Sequence, residues 1–196
     1  MGTVGSINAE AVLPWMAGHA SNKYTQFGED GLIQRALDEI GETNRQCFEV
    51  GAADGLFFSN SLRLREQDWL AVLIESEPNA FAKLKTTYGN KSICIHATAT
   101  DMDAQLPEGF SETADLGVID IDGQDYWLWH DMVRIRPRVM LVEIHPPDDA
   151  AAIPKRGGNG QAGLNAIREL GESKGYTLAA RTYCNALFID SRELTE

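Results

Sequence analysis

CFEVGAADGLFFSN, residues 47–60, is the stretch that decides the fold. Cys47 to Val50 reads as a strand broken by a single acid, and a glycine-rich turn follows at once. Glu49, Gly51, Asp54 and Gly55 spell E-x-G-x-x-D-G. Gly51 lets a ligand approach the backbone closely, and Gly55 supports a tight turn. In open α/β sheets ligands lie beyond the carboxyl ends of the strands, which is where this turn falls. Only the first glycine matches the G-x-G-x-x-G of dinucleotide enzymes. Carboxylates beside the loop suit a ligand that carries an ammonium group and no pyrophosphate.

Further apolar runs follow on either side of helical stretches: LAVLIES (70–76), SICIHAT (92–98), LGVIDI (116–121) and VMLVEIH (139–145). Helical periodicity is carried by GEDGLIQRALDEIG (28–41), with Leu32, Ile33, Ala36, Leu37 and Ile40 on one stripe and Gly41 as its stop. Further helices are expected at Asn60 to Gln67, Asn79 to Tyr88, Tyr126 to Ile135 and Leu164 to Lys174. Alternating strands and helices predict a parallel sheet covered on both faces, and near-continuous apolar strands agree. YTLAA and NALFID near the end are separated only by RTYCN, too short for a crossover helix, so they pair antiparallel. The expectation is an α/β, three-layer, Rossmann-like class I methyltransferase fold. Its sheet is seven-stranded and mostly parallel, with an antiparallel C-terminal strand. Residues 1–23 form an irregular arm with a short helix around Val12 to Met16, and 24–196 form one domain.

Composition narrows the function. The 196 residues are 43% hydrophobic and 23% charged, enough for one core. A net charge of −12 argues against nucleic acid and anionic membrane as partners. Arg134, Arg136, Arg138, Lys155 and Arg156 are read as solvated charges rather than a basic patch. No apolar run approaches a membrane span of roughly 18 residues. MGTVGS carries Gly2 and Ser6 of the myristoylation pattern, too short a match to count as an anchor. Three scattered cysteines, Cys47, Cys94 and Cys184, suggest reduced thiols in a cytoplasmic protein.

S-adenosylmethionine fits the loop's chemistry better than NAD. Glu49, Gly51 and Asp54 are expected to hold it. Glu75, at the end of the next run, stands where an acid about 20 residues beyond the loop accepts from ribose hydroxyls. Glu77 is its neighbour, or takes its place if the strand ends later. Ala97 and Thr98 are placed near the adenine, and Asp101 is a further acceptor for its amino group.

Five segments, YTQFGEDGLIQ (24–34), FEVGAADGLFFSN (48–60), LAVLIESEP (70–78), VIDIDGQDYWLW (118–129) and RPRVMLVEIHP (136–146), resemble the FkbM-like S-adenosylmethionine-dependent methyltransferases. The likeness runs over roughly residues 24 to 190. It implies methyl transfer, typically to an oxygen of a small-molecule or sugar-like acceptor. Gln26, Gly28, Glu29 and Asp30 have two readings, a helix start or a turn over the cofactor's methionine end with Gln26 as the contact.

Asp120, Asp122 and Asp125 crowd the end of the fourth run. The order D-I-D-G-Q-D-Y also resembles the D-x-D-x-x-N-Y segment of cation-dependent catechol-type O-methyltransferases, which implies Asp120 as a cofactor and metal ligand. Three readings stay open. Asp120, Glu143 and His145 bind a divalent metal ion that acidifies an acceptor hydroxyl. Alternatively His145 is the general base, held by an acid such as Asp122. In the third, the acids cap the next helix. Two departures weigh against the metal: Glu143-Ile144-His145 replaces that family's Asp-Asn pair, and Gly123 stands where it has a catalytic lysine. Residues 146–163 are a lid candidate. Of Trp127 and Trp129, one is expected to line the acceptor pocket and the other to lie on the surface or at an interface, which leaves a homo-oligomer open. An NAD-type oxidoreductase and a non-catalytic S-adenosylmethionine-binding module are the competing functions.

Overall fold

The computed structural model describes residues 9–98, 100–145 and 151–194. Four strands form the parallel body. β2 (Gln46–Val50) lies between β3 (Leu70–Glu75) and β5 (Leu116–Ile119), and β6 (Val139–Glu143) extends the sheet beyond β5. β4 (Ile93–His96) adds in parallel outside β3. The terminal hairpin, β7 (Tyr176–Arg181) and β8 (Asn185–Asp190), pairs antiparallel, and β8 inserts beside β6. The described sheet has eight strands in the order β1-β7-β8-β6-β5-β2-β3-β4. The expected seven are joined by β1 (Glu10–Ala11), which lies antiparallel along β7. The arm is therefore less irregular than its sequence suggests: it covers a sheet edge, and its Met16 is buried. Gly2 lies outside the described residues.

Strand alternation divides the core into two layers. Phe48, Val50, Met140, Val142 and Phe188 face one way, packed under α5 (Asp125–Asp131), α6 (Leu164–Ser173) and the short α4 (Met102–Gln105). Cys47, Leu73, Leu141 and Leu187 face the other way, under α1 (Glu29–Ile40), α2 (Leu62–Arg65) and α3 (Pro78–Tyr88). The apolar stripe of α1 is the one its periodicity marks. Trp129 is buried between Tyr176 and Phe188, with ring centroids 5.6 and 4.9 Å away, so it is neither a surface nor an interface residue. The arginines read as solvated charges are held in ion pairs, Arg134 with Glu112, Arg136 with Asp190, and Arg138 with Asp115 and Glu193, and Arg138 is buried rather than solvated. No described helix is long and apolar enough to cross a membrane.

Candidate active site

The strand order reverses between β2 and β5, so the connections leaving these two strands part to opposite sides of the sheet and leave a crevice outside the strand ends, the usual ligand position in such sheets. Gly51 begins the turn there at φ +81. A Cβ at this position would lie 1.7 Å from the Asp120 carbonyl oxygen, so only glycine fits between the two strand ends. Its N–H donates to the Ile74 carbonyl at 3.0 Å, tying the turn to β3 as well.

The loop acids divide into two groups. Glu49 is buried and faces its own loop. Its Oε2 accepts from the Ser59 and Ser61 hydroxyls at 2.7 and 2.5 Å, and its Oε1 from the Asn60 N–H at 2.7 Å. Asp54 Oδ1 accepts from the N–H groups of Phe57 and Leu56 at 2.9 and 3.0 Å, bonds that hold its carboxyl below its ordinary range. Neither acid lines the cavity. They shape the loop instead, which carries Phe58 at a positive φ of 53. Glu75 does line the cavity. One oxygen accepts from Ala53 N–H and the other from Glu77 N–H, each at 2.7 Å, which fixes the carboxylate and leaves lone pairs on both oxygens. Glu77 is the N-cap of α3 and Asp101 the N-cap of α4, so both have structural duties. Thr98 and Ala97 lie on the cavity wall.

The cavity has a volume of about 720 Å³, within the range of small-molecule sites. Asp120 and Asp122 line it. Strand alternation does not extend to Asp122: β5 stops at Ile119, and Asp122 is left-handed at φ 56, its N–H donating to Glu143 Oε2 at 3.0 Å. Asp125 accepts from the N–H groups of Ile121 and Gly123, closing the turn before α5; the N-cap position is Gln124, and no acid side chain caps the helix as the third reading expects. Burial, then the negative charges of Asp125, Glu49, Asp122 and Glu29, pushes the Asp120 carboxyl up to about 7. Burial, then Asp120, pushes Glu143 up to about 9. The two form a pair of like charges that resists full ionisation near neutral pH.

The expected metal set does not assemble. β6 ends at Glu143, and His145 is exposed, with Nδ1 3.4 Å from Gln161 Oε1. Among the described residues no group of three or more His, Cys, Asp and Glu side chains is placed to hold an ion. His145 is also absent from the cavity wall, as is Gln26, which is exposed. Gln26 belongs to a turn organised by Asp30, whose Oδ2 accepts from the N–H groups of Lys23, Tyr24 and Thr25. Glu29 is buried and accepts from Thr182 Oγ1 and Phe27 N–H.

Trp127 is the one of the two tryptophans that reaches the site, and two further site residues, Gln124 and Arg156, carry no signal in the sequence. Gln124, Trp127 and Arg156 all line the cavity, and contacts between α5 and residues 154–158 place them there. The lid candidate is described only from residue 151 onward.

Solved structures share this architecture. One, from Galdieria sulphuraria and proposed as a sarcosine dimethylglycine methyltransferase, superposes with a TM-score of 0.54 at 12% identity, over 76% of this chain and 61% of its own. TehB from Haemophilus influenzae gives 0.52 at 12% identity, over 81% and 61%. A TehB-like S-adenosylmethionine-dependent methyltransferase from Corynebacterium glutamicum gives 0.50 at 13% identity, over 81% and 86%. The fold is that of the class I methyltransferases. The chain spans about three fifths of the length of the first two. No family model matches the chain, and no curated protein matches it, so the FkbM-like resemblance rests on its five segments.

The cavity fits S-adenosylmethionine. Its acids, Asp120 and Asp122 among them, suit a cation, Gly51 puts main chain on the wall, and Glu75 keeps lone pairs free on both oxygens. No long helix starts at the turn to receive a pyrophosphate: residues 51–61 are loop and α2 has four residues.

Proposed function

We propose that the protein is an S-adenosylmethionine-dependent methyltransferase that modifies a hydroxyl of a small, sugar-like acceptor, as the FkbM-like resemblance implies. One observation carries the reading: Gly51, Glu75 and Asp120 meet around a single cavity at the reversal of strand order. Bound there, S-adenosylmethionine supplies an electrophilic methyl group on a sulfonium. The chain's own residues supply position and a proton acceptor. Glu75 orients the ribose, and Gly51, by admitting the Asp120 carbonyl, lets the two strand ends pack together at the cavity wall. Asp120 is the proposed base. Its carboxyl titrates near neutral pH and opens on the cavity, as general-base catalysis requires. Glu143, pushed higher by burial and then by Asp120, keeps its own proton while Asp120 ionises. Of the readings the sequence leaves open, His145 as base with an acid such as Asp122 has less support than Asp120, since Asp120 lines the cavity and His145 does not. Cation assistance has no assembled ligand set in its support among the described residues.

Isothermal calorimetry with S-adenosylmethionine, with its demethylated product and with NAD tests the reading. Heat is expected with the first two, and Glu75→Ala should weaken binding at least tenfold, the loss of a charged hydrogen bond of about 1.5 kcal/mol. Heat with NAD alone, or with none of the three from a folded sample, overturns it. Methyl transfer to a panel of sugars and polyols, abolished by Asp120→Asn, tests the hydroxyl. A protein that binds the nucleoside but methylates nothing is the non-catalytic module.

A further inference from the structure

Residues 151–161 contribute nothing to the core: each is exposed or half-buried, and Ile153 is 50% exposed. Polar contacts to one face of α5 hold this segment instead. Gln124 precedes that helix but does not cap it. Its side-chain amide binds the segment's backbone from both sides. Oε1 accepts from Gly157 N–H at 2.7 Å, and Nε2 donates to the Gly158 carbonyl at 2.7 Å and the Lys155 carbonyl at 3.3 Å. One turn on, Trp127 Nε1 donates to the Pro154 carbonyl at 2.8 Å. A further turn on, Asp131 takes both terminal nitrogens of Arg156, one of them at 3.0 Å, and the guanidinium lies 4.2 Å from the centroid of the Trp127 ring. Gln124, Trp127 and Asp131 stand at i, i+3 and i+7, so they share one helix face.

The same residues wall the cavity. Gln124, Trp127 and Asp131 line it from α5, and Arg156 to Gly158 line it from the segment, opposite Gly51 and Glu75. An occupant of the cavity would therefore touch both the segment and the helix face that holds it.

We propose that residues 154–158 are a latched cover, fastened by Gln124, Trp127 and Asp131, whose opening sets the rate at which the spent nucleoside leaves. The identity of the nucleoside rests on the function proposed above; the latch does not. Without apolar anchoring, the cover opens at the expense of polar contacts that water replaces, which marks it as a low-stability unit of the fold. Its ionic part is open to solvent, with Arg156 and Asp131 side chains 53% and 35% exposed, so salt weakens it. The Gln124 contacts are three neutral hydrogen bonds, one of them part-buried, which salt does not screen, and together they form the stronger part.

Two measurements test this, one without ligand. Trypsin cuts after Lys155 and Arg156, inside the cover. In the absence of nucleoside, Gln124→Ala should be cut there about tenfold faster than the unmodified chain, the ratio given by about 1.4 kcal/mol of lost hydrogen bonding. Arg156→Ala should speed cutting after Lys155 by about threefold, and added salt should reproduce that effect in the unmodified chain. Melting curves check that both variants are folded. The second measurement follows release of S-adenosylhomocysteine by stopped-flow tryptophan fluorescence, with Trp127 as reporter. Release should accelerate in the same order, Gln124→Ala more than Arg156→Ala. Equal cutting rates in all three proteins overturn the latch, and unchanged release from a cover that is cut faster overturns its control of product departure. If S-adenosylhomocysteine gives no binding heat, the proposed function and the control of its release both fall, and the trypsin result alone decides the latch.

Discussion

Replacing Asp120 by asparagine should make the empty protein more stable and the enzyme inactive, and the stability gain should depend on pH in one direction only. The Asp120 carboxyl sits at the end of β5, where burial and then Asp125, Glu49, Asp122 and Glu29 raise it from 3.8 to about 7. A raised carboxyl favours the fold while both states keep the proton. Its contribution is whole below 3.8, falls as the unfolded chain ionises, and is gone once pH passes about 7. At 1.36 kcal/mol for each tenfold change in proton affinity, the ionised carboxyl costs the fold about 4 kcal/mol. The residue is partly open to the cavity, and water there screens the charge, so about 2 kcal/mol is the working figure. Asparagine keeps the shape and never ionises. Urea melts of both proteins without nucleoside should therefore nearly coincide in acid, well below 3.8, and differ by about 2 kcal/mol in favour of Asp120→Asn above 7. A difference that stays constant with pH would refute the assignment of strain to this carboxyl. A difference of the opposite sign would mean that Asp120 has a cationic partner.

Other expectations follow from neighbouring residues. S-adenosylmethionine should bind more tightly as pH rises through about 7, because a cation favours the ionised Asp120; calorimetry in buffers of different ionisation enthalpy should show proton release. Gly51→Ala should abolish nucleoside binding and destabilise the fold by at least about 2 kcal/mol, since its Cβ falls 1.7 Å from the Asp120 carbonyl oxygen at φ +81; calorimetry and melting curves report the two effects. Glu49→Ala strands three buried donors at Ser59, Asn60 and Ser61, at a cost of about 3 kcal/mol in urea melts. Trp129→Ala should cost about 3–5 kcal/mol in the same assay, as a core position does and an interface position would not.

The strands were legible because a doubly covered sheet demands unbroken apolar runs. The helix α1 was legible because one stripe of it is apolar. Four-residue helices such as α4 carry no periodicity. The end of α5 was misread for a similar reason. The apolar pattern continues to Ile135, but the helix stops at Asp131, and the Asp103 carboxylate takes the N–H groups of Val133, Arg134 and Ile135 instead. Glu75 was placed on the cavity because it ends a strand, and the backbone fixes such positions. Glu143 and His145 share a face only if β6 continues past Glu143, and it does not. Gln124 and Arg156 were invisible, since their contact is set by how a loop returns over a helix and no local pattern encodes that.

The two ends of β5 and β6 show what the acids are for. At one end Asp115, just before β5, meets Arg138, just before β6, at 2.9 Å, and also accepts from Thr43, Asn44 and Arg45. Burial alone would raise that carboxyl, but the hydrogen bonds of Thr43 and Arg138 outweigh it, and its proton affinity falls below the ordinary value. At the opposite end, Asp120 and Glu143 occupy the corresponding neighbouring positions, and among the described residues no cation pairs with either: Glu143 accepts the Asp122 N–H, and further carboxylates surround them. A fold that pairs one buried acid with an arginine and four other donors is capable of doing the same at its other end. Crowding carboxyls together there instead costs stability as they ionise, and that cost is offset only when something positive arrives. A sulfonium nucleoside with an ammonium group is a ligand of that kind, and the strain at Asp120 is then part of what selects it.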